Sequence, residues 1–173
     1  MLNRIKRLIK HRWQDDASAS RAVPPAMVQR LQTRVADSER GHSGEIRIYV
    51  ETGLPTSYLL RDAPTREITR ERALSLFGKL RVWDTANNNG VLIYLLLAEH
   101  AIEIVADRGL NQWVTQQDWQ AMVERMRVAF HQHRFEDGLG QAVDEVNSLL
   151  AQHFPLLTGV TNPNELPDRP IIK

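Results

Sequence analysis

The period at which apolar residues recur changes several times along this chain, and each change marks an element. Val91 to Ala98 is an uninterrupted apolar run with β-branched and aromatic members, bounded by Asn89-Gly90 in front and Glu99-His100 behind. A run this short between turn residues predicts a strand buried on both faces, and so the centre of a sheet. Ile102 to Asp107 predicts a second strand. The Glu99-His100 link is too short for a crossover, so the two strands are expected to pair antiparallel as a hairpin.

Upstream, Ile46, Ile48 and Val50 alternate with Arg47 and Tyr49, which predicts a strand with one drier face, ended by Gly53-Leu54-Pro55. Before it, Met27, Leu31 and Val35 recur at helical spacing from Pro24-Pro25 to about Glu39. Thr65 to Leu80 predicts another helix, with Ile68, Ala73, Phe77 and Leu80 inward and Glu67, Arg70, Glu71 and Arg72 on a solvated face. Strand, helix and buried strand make a βαβ unit, so the strand after Glu45 should run parallel to the Val91 strand.

Downstream of the hairpin, Thr115 with Asp118 three residues on reads as a capping box. The helix it opens carries Trp119, Met122, Val123, Met126 and Phe130 on one stripe. Leu139, Ala142, Val143, Val146, Leu149 and Leu150 form the stripe of a last helix, set off by a turn from His131 to Gly138. The expected fold is α/β: a three-layer αβα sandwich with a small mixed β-sheet, one βαβ unit plus a β-hairpin, and helices on both faces.

Three regions follow from this pattern. Residues 1–23 divide into a basic amphipathic helix to Trp13 and an Ala- and Ser-rich linker from Gln14 to Val23, residues 24–154 form the domain, and residues 155–173 are a tail. Pro155, Pro163, Pro167 and Pro170 rule out a long helix in that tail, leaving it disordered or laid across the surface.

Charge alters the picture at the N-terminus. The chain holds 22 lysines and arginines against 21 acids, but Arg4, Lys6, Arg7, Lys10 and Arg12 precede the first acid, and the remainder is slightly acidic. The basic helix is a candidate contact for an anionic membrane surface or a membrane partner. Basic and aromatic residues do not interleave, which disfavours nucleic acid as a partner. With no cysteine there is no disulfide, thiolate nucleophile or thiolate metal site. No run is long enough to span a membrane, and no signal peptide stands at the start, so the expected location is cytoplasmic, peripheral at the inner face of the plasma membrane.

The residues Glu39, Ser43-Gly44-Glu45-Ile46, Asn89-Gly90-Val91-Leu92 and Ile104-Val105-Ala106-Asp107-Arg108-Gly109, with a weaker echo from Phe135 to Leu139, resemble the TPM domain family. The resemblance covers roughly Pro24 to Phe154. Within that family the chain is most similar to a short form carrying Val82-Trp83-Asp84-Thr85 and ending Asn164-Glu165-Leu166-Pro167-Asp168. The resemblance implies an αβα sandwich. It also implies three possible activities found among relatives: acid phosphatase activity in a plant member, calcium binding in some members, and a role in assembling or maintaining membrane complexes.

Topology suggests one place for chemistry. If the first two strands are parallel and the third returns, three loops converge at one end of the sheet and bring together Glu39, Glu45, Asp84, Asn88, Asn89 and Asp107, with Asn87 and Asp118 close by. Clustered carboxylates repel unless protonated or bridged, and carboxylate and amide oxygens suit a hard ion such as calcium better than zinc. The competing reading is turn chemistry, since Asp and Asn bond local backbone and tolerate left-handed conformations. His100 reads as a hairpin residue. His131 and His133, two apart, would point in different directions on a helix, which argues against a zinc pair. Trp83, Trp113 and Trp119 read as core or cap residues.

Two functions remain. One is a non-catalytic adaptor or accessory domain at the inner membrane surface, with a membrane protein or coiled-coil partner and a regulatory calcium site. The other is a metal-assisted, acid-phosphatase-like hydrolase of phosphate esters. The chain carries no P-loop, Gly-x-Ser-x-Gly elbow or dinucleotide glycine pattern. The adaptor reading comes first because it uses the basic helix and the Pro-rich tail, which the enzyme leaves idle.

Overall fold

The computed structural model describes residues 7, 8, 10, 11, 16–157 and 159–173. Its centre is a four-stranded sheet built from β1 (Ile46–Glu51), β2 (Val91–Leu96), β3 (Ala101–Ala106) and β4 (Ile171–Ile172), in the order β3-β2-β1-β4. The first two strands pair parallel from Ile46 against Val91 to Glu51 against Leu96. The next two pair antiparallel from Val91 against Ala106 to Leu96 against Ala101. The helices are α1 (Asp16–Ala22), α2 (Pro25–Ser38), α3 (Thr56–Leu59), α4 (Thr65–Lys79), α5 (Gln116–His131) and α6 (Phe135–His153).

Every residue of β2 is buried, as its unbroken apolar run requires. Ile46, Ile48, Val50, Val91, Ile93 and Leu95 pack on one side with α2, α5 and α6, whereas Tyr49, Leu92, Tyr94 and Leu96 pack on the other with α3 and α4. The chain is therefore the expected αβα sandwich. Thr115 and Asp118 form the capping box at the start of α5, each side chain accepting from the other's backbone N–H.

Four departures from the sequence reading have physical causes. The Gln14–Val23 linker is helical from Asp16 to Ala22, because its alanines favour a helix and Ala19 and Val23 bury against the core. Both faces of β1 are covered, so Arg47 and Tyr49 are buried too. Arg72 leaves the solvated face of α4 and pairs with Glu51 in the interior, Nη2 lying 2.6 Å from Oε1. The tail lies across the domain, one of the two alternatives left open for it, and departs from the reading only in ending as β4, which pairs Tyr49 with Ile171 and Val50 with Ile172. Of the basic amphipathic helix at residues 1–13, only Arg7, Leu8, Lys10 and His11 are described, and Arg4, Lys6 and Arg12 lie outside the described residues.

Candidate functional site

The three loops at the start of β1, the start of β2 and the end of β3 do meet. The Asp107 N–H donates to the Gly90 carbonyl at 2.9 Å, and the Gly109 N–H donates to the Asn88 carbonyl at 2.9 Å. A Cβ on Gly109 would stand 2.5 Å from that Asn88 oxygen, so only glycine allows this approach. Ser43 joins the first loop to the second, its Oγ accepting from Nδ2 of Asn89 at 3.2 Å and of Asn87 at 3.3 Å.

The tail roofs these loops. Glu45, fully buried at the entry to β1, accepts from the backbone N–H of Glu165 and of Leu166, both at 3.0 Å. Glu165 in turn accepts from the Ala86 N–H at 2.9 Å. Arg47 donates to the carbonyls of Pro167 and Arg169. Ser43 and Glu165 are site residues that the charge pattern alone does not single out. Glu165 does stand in the Asn164-Glu165-Leu166 stretch that carries the family resemblance, and that stretch is its signal in the sequence.

The six oxygen-bearing residues expected to share an ion are thus treated unequally. Glu45 is capped by the tail, Asp84 is exposed and paired with Arg81, and Asn88 accepts from Arg108 Nε at 3.0 Å. Glu39 uses Oε1 to accept from the Ile46 N–H at 2.8 Å, and Asp107 accepts from the Arg108 N–H at 2.7 Å. Three buried oxygens have no hydrogen-bond partner: Glu39 Oε2, Asn89 Oδ1 and Asp107 Oδ2. Asp118 serves the helix cap instead. Among the described residues, no three His, Cys, Asp or Glu side chains stand ready around one ion position.

Burial pushes the Glu39 carboxyl up to about 8 against the pull of the Ile46 N–H, and Glu45 and Asp168 add to the rise. Burial raises Glu45 as well, opposed by the two tail N–H groups. His42, fully buried beside Gly44, is held below its ordinary value by burial.

The opposite end of the sheet has a different chemistry. Glu51 accepts from Arg72 Nε at 3.0 Å and from the Tyr94 hydroxyl at 2.8 Å, so its carboxylate is fully engaged. Glu99 meets Lys10 at 2.7 Å and the buried His11 at 2.8 Å. Arg7 is buried and donates to the carbonyls of Leu59, Ala63 and Arg61, so this basic residue serves the domain rather than facing outward. Between α4 and α5, along the free edge of β3, runs an open cavity of about 950 Å3 lined by both signs of charge, including Arg66, Arg70, Glu99, Glu103 and Arg127. Arg70 reaches into it and donates to the Ile104 carbonyl at 2.6 Å.

A family model described as TPM domain matches residues 20–149, which is most of the chain. The chain belongs to the TPM domain family. Its fold is similar to the NMR structure of the BA42 protein from the psychrophilic bacterium Bizionia argentinensis, at 26% identity and a TM-score of 0.71, covering 86% of this chain and 94% of that one. It also resembles the solution structure of the N-terminal domain of a protein from P. gingivalis, at 22% identity and a TM-score of 0.56, covering 75% of this chain and 79% of that one. No curated protein matches the chain. The matched residues include the three converging loops and the hairpin. No helix among the described residues is long and apolar enough to cross a membrane.

Proposed function

We propose that this TPM domain is a non-catalytic adaptor rather than a phosphate-ester hydrolase. The observation that carries the reading is the commitment of Glu45: both of its oxygens hold the tail, at 3.0 Å each, where a hydrolase would need a carboxylate free to hold metal. Asp84 and Asn88 are likewise engaged by Arg81 and Arg108. The partner is a membrane protein or a coiled coil. The groove along β3 supports this, because a free sheet edge beside two helices offers backbone groups to an extended or helical segment. Contact with an anionic inner membrane surface rests on Arg4, Lys6 and Arg12, since Arg7 and Lys10 already have partners within the domain.

The hydrolase is tested with p-nitrophenyl phosphate, with calcium, with magnesium and with chelator. We expect no metal-dependent turnover. Hydrolysis that requires a divalent ion and disappears in Asp107→Asn would overturn the adaptor reading. The membrane component is tested by co-sedimentation with anionic vesicles at low salt. Pelleting should fall when Arg4, Lys6 and Arg12 are all changed to Gln, and equal pelleting removes the membrane surface from the proposal.

A second reading is favoured by the orphaned oxygens of Asn89 and Asp107. Hard, buried oxygen donors without partners suit calcium, and the Ser43 hydroxyl is bonded to Asn89 beside them. Asn89, Asp107 and Ser43 would hold the ion, which would act on the loops rather than on a substrate. A calcium titration followed by backbone amide shifts tests it, with magnesium as control. Saturable changes confined to residues 43–45, 87–90 and 107–109 are expected, and no localised change up to millimolar calcium would leave these loops as turn chemistry.

A further inference from the structure

The chain treats the two flanks of its sheet differently. The tail closes part of the β1 flank: Lys173 donates to the Val50 carbonyl at 2.9 Å and accepts from the Thr52 N–H at 2.8 Å, so β4 supplies an extended backbone there. β3 stands at the other end of the strand order, and no strand among the described residues lies beyond it. Its backbone groups alternate in direction. The Asp107 N–H points toward β2 and bonds the Gly90 carbonyl, whereas the Ile104 carbonyl points outward and accepts from Arg70 Nη1 at 2.6 Å. Backbone groups two residues apart on a strand face the same side, so Ile102 shares the direction of Ile104. The outward row is therefore the N–H and C=O of Ile102 and Ile104, and among the described residues Arg70 alone bonds it.

The shape of the cavity limits what can meet that row. α4 and α5 both pack against β3, from opposite faces of the sheet, so the row lies at the bottom of the cavity between them. A second copy would carry the same two helices over its own β3 and could not lower that strand into the cavity. An α-helix is about 10–12 Å across and spends its backbone groups on itself, so it offers nothing to the row. An extended segment offers N–H and C=O groups at strand spacing, which is how sheet edges take up peptides.

The two walls then select side chains, because alternate residues of an added strand face opposite walls. Toward α5 they meet Trp119 and Val123, which pack with Ile102 and Ile104 in the apolar core. Toward α4 they meet Arg66 and Arg70, one turn apart on the same helix face. Arg70 also reaches the Glu103 carboxylate at 3.3 Å. Burial raises Glu103 and both arginines pull it back, so two guanidiniums act on one acid. Arg66 is exposed and has no ion pair among the described residues. Glu67 and Glu71 lie on the next row of the helix, where Glu71 pairs with Arg61. The surplus beside β3 is positive.

We propose that the β3 edge takes up an extended segment of a partner protein as a further strand, with apolar side chains toward Trp119 and Val123 and an acidic side chain toward Arg66 and Arg70. A backbone N–H of the segment replaces Arg70 at the Ile104 carbonyl, and Arg70 turns to the incoming carboxylate. The proposal rests on the adaptor reading, which assigns this groove to a partner, and it narrows that partner to an extended segment of alternating pattern.

The test uses the full chain and a labelled, capped peptide of about six residues that alternates valine with threonine and carries one central glutamate in place of a threonine. Fluorescence anisotropy should show saturable binding, and backbone amide signals should move at Ala101–Ala106 and stay in β4. Methylating one alternate set of peptide nitrogens should abolish binding and methylating the other should leave it, since only one set faces β3. Glutamine in place of the glutamate should bind roughly threefold more weakly, and Arg66→Gln should erase that difference. No saturable binding up to millimolar peptide, amide changes elsewhere, binding indifferent to both methylations, or equal affinity for the glutamate and glutamine peptides would each overturn the proposal. Shifts at β3 that grow with protein concentration before peptide is added would overturn it by giving the edge to a second copy. An acidic amphipathic helical peptide that binds at Ala101–Ala106 in place of the alternating one would overturn it and leave the adaptor reading standing, whereas metal-dependent phosphate hydrolysis would remove the adaptor reading itself.

Discussion

Toward the end of the sheet where its parallel strands finish, Glu51 is met by Arg72 and Tyr94, and Glu99 by Lys10 and His11. At the end where those strands begin, Glu39, Glu45 and Asp107 are met by backbone N–H groups. The two arrangements solve the same problem of a buried acid with different consequences. A guanidinium neutralises a carboxylate where it stands, and a hydroxyl fills a remaining lone pair. An N–H satisfies a lone pair but carries no full charge, so burial still acts on the carboxyl. Glu39 is accordingly pushed up to about 8, whereas Lys10 and His11 hold Glu99 below its ordinary value although burial opposes them. The first end gives its acids cations, Arg72 in the interior and Lys10 at the surface. At the second, burial holds Glu39 and Glu45 above their ordinary values, and Glu45 is the one that grips the tail.

The largest effect is expected from Arg72→Leu. It leaves Glu51 buried without its cation, and an uncompensated buried charge costs about 3–5 kcal/mol. Urea unfolding should show that loss, and Arg72→Leu combined with Glu51→Leu should recover most of it, since the pair is then replaced by apolar groups. A single-variant loss under about 1 kcal/mol would mean that this end does not depend on its ion pair.

At the opposite end Glu45→Ala should cost less, about 1–3 kcal/mol, because it orphans two backbone N–H groups rather than a charge. Its specific readout is the tail. Limited proteolysis within residues 155–173 should accelerate in Glu45→Ala and stay at the parent rate in Arg72→Leu under conditions where both are folded. Equal acceleration in both would show that the tail follows global stability and is not held by Glu45.

These contacts also mark where the sequence was and was not legible. The βαβ unit, the hairpin and the α5 cap could be read because each depends on neighbours in sequence: an apolar run, a link too short for a crossover, a Thr and an Asp three apart. The link is longer than expected, since the strand stops at Leu96 and Leu97–Glu99 form a 3-10 turn. The convergence of three loops followed from the strand directions. What sequence could not reveal depended on distant partners. Arg72 reads as solvated because nothing near it in sequence announces Glu51, 21 residues away. Glu45 reads as a metal ligand because its true partners are backbone groups of Glu165 and Leu166, and backbone groups leave no compositional trace. The tail reads as disordered or laid across the surface because its prolines forbid a helix, and nothing in its composition announces the short edge strand they permit at Ile171 and Ile172.

Glu39→Gln separates the two ends of the sheet through pH. A carboxyl whose folded value lies above its unfolded one stabilises the fold at low pH, and that contribution is lost as pH rises from about 4.5 to about 8. Parent stability should therefore decline across this window. Gln keeps an oxygen for the Ile46 N–H and does not ionise, so the variant should gain on the parent by about 3–4 kcal/mol between pH 5 and pH 8. Parallel pH profiles for the two proteins would remove Glu39 as the source of the slope.

The smallest effect belongs to Lys10→Ala. The lysine lies 2.7 Å from Glu99, about as close as Arg72 Nη2 lies to Glu51 at 2.6 Å, yet its side chain is 52% exposed whereas that of Arg72 is 9% exposed. An exposed ammonium is already solvated, so its attraction to Glu99 is screened and offset by the entropy of holding the side chain. Removing it should cost under about 1 kcal/mol, less at high salt, with His11 still bonded to Glu99. If Lys10→Ala approached Arg72→Leu in cost, proximity of opposite charges would be the governing variable. If it stays small, burial is, and Glu51 depends on its partner because Arg72 is buried with it whereas Lys10 stands in solvent beside Glu99.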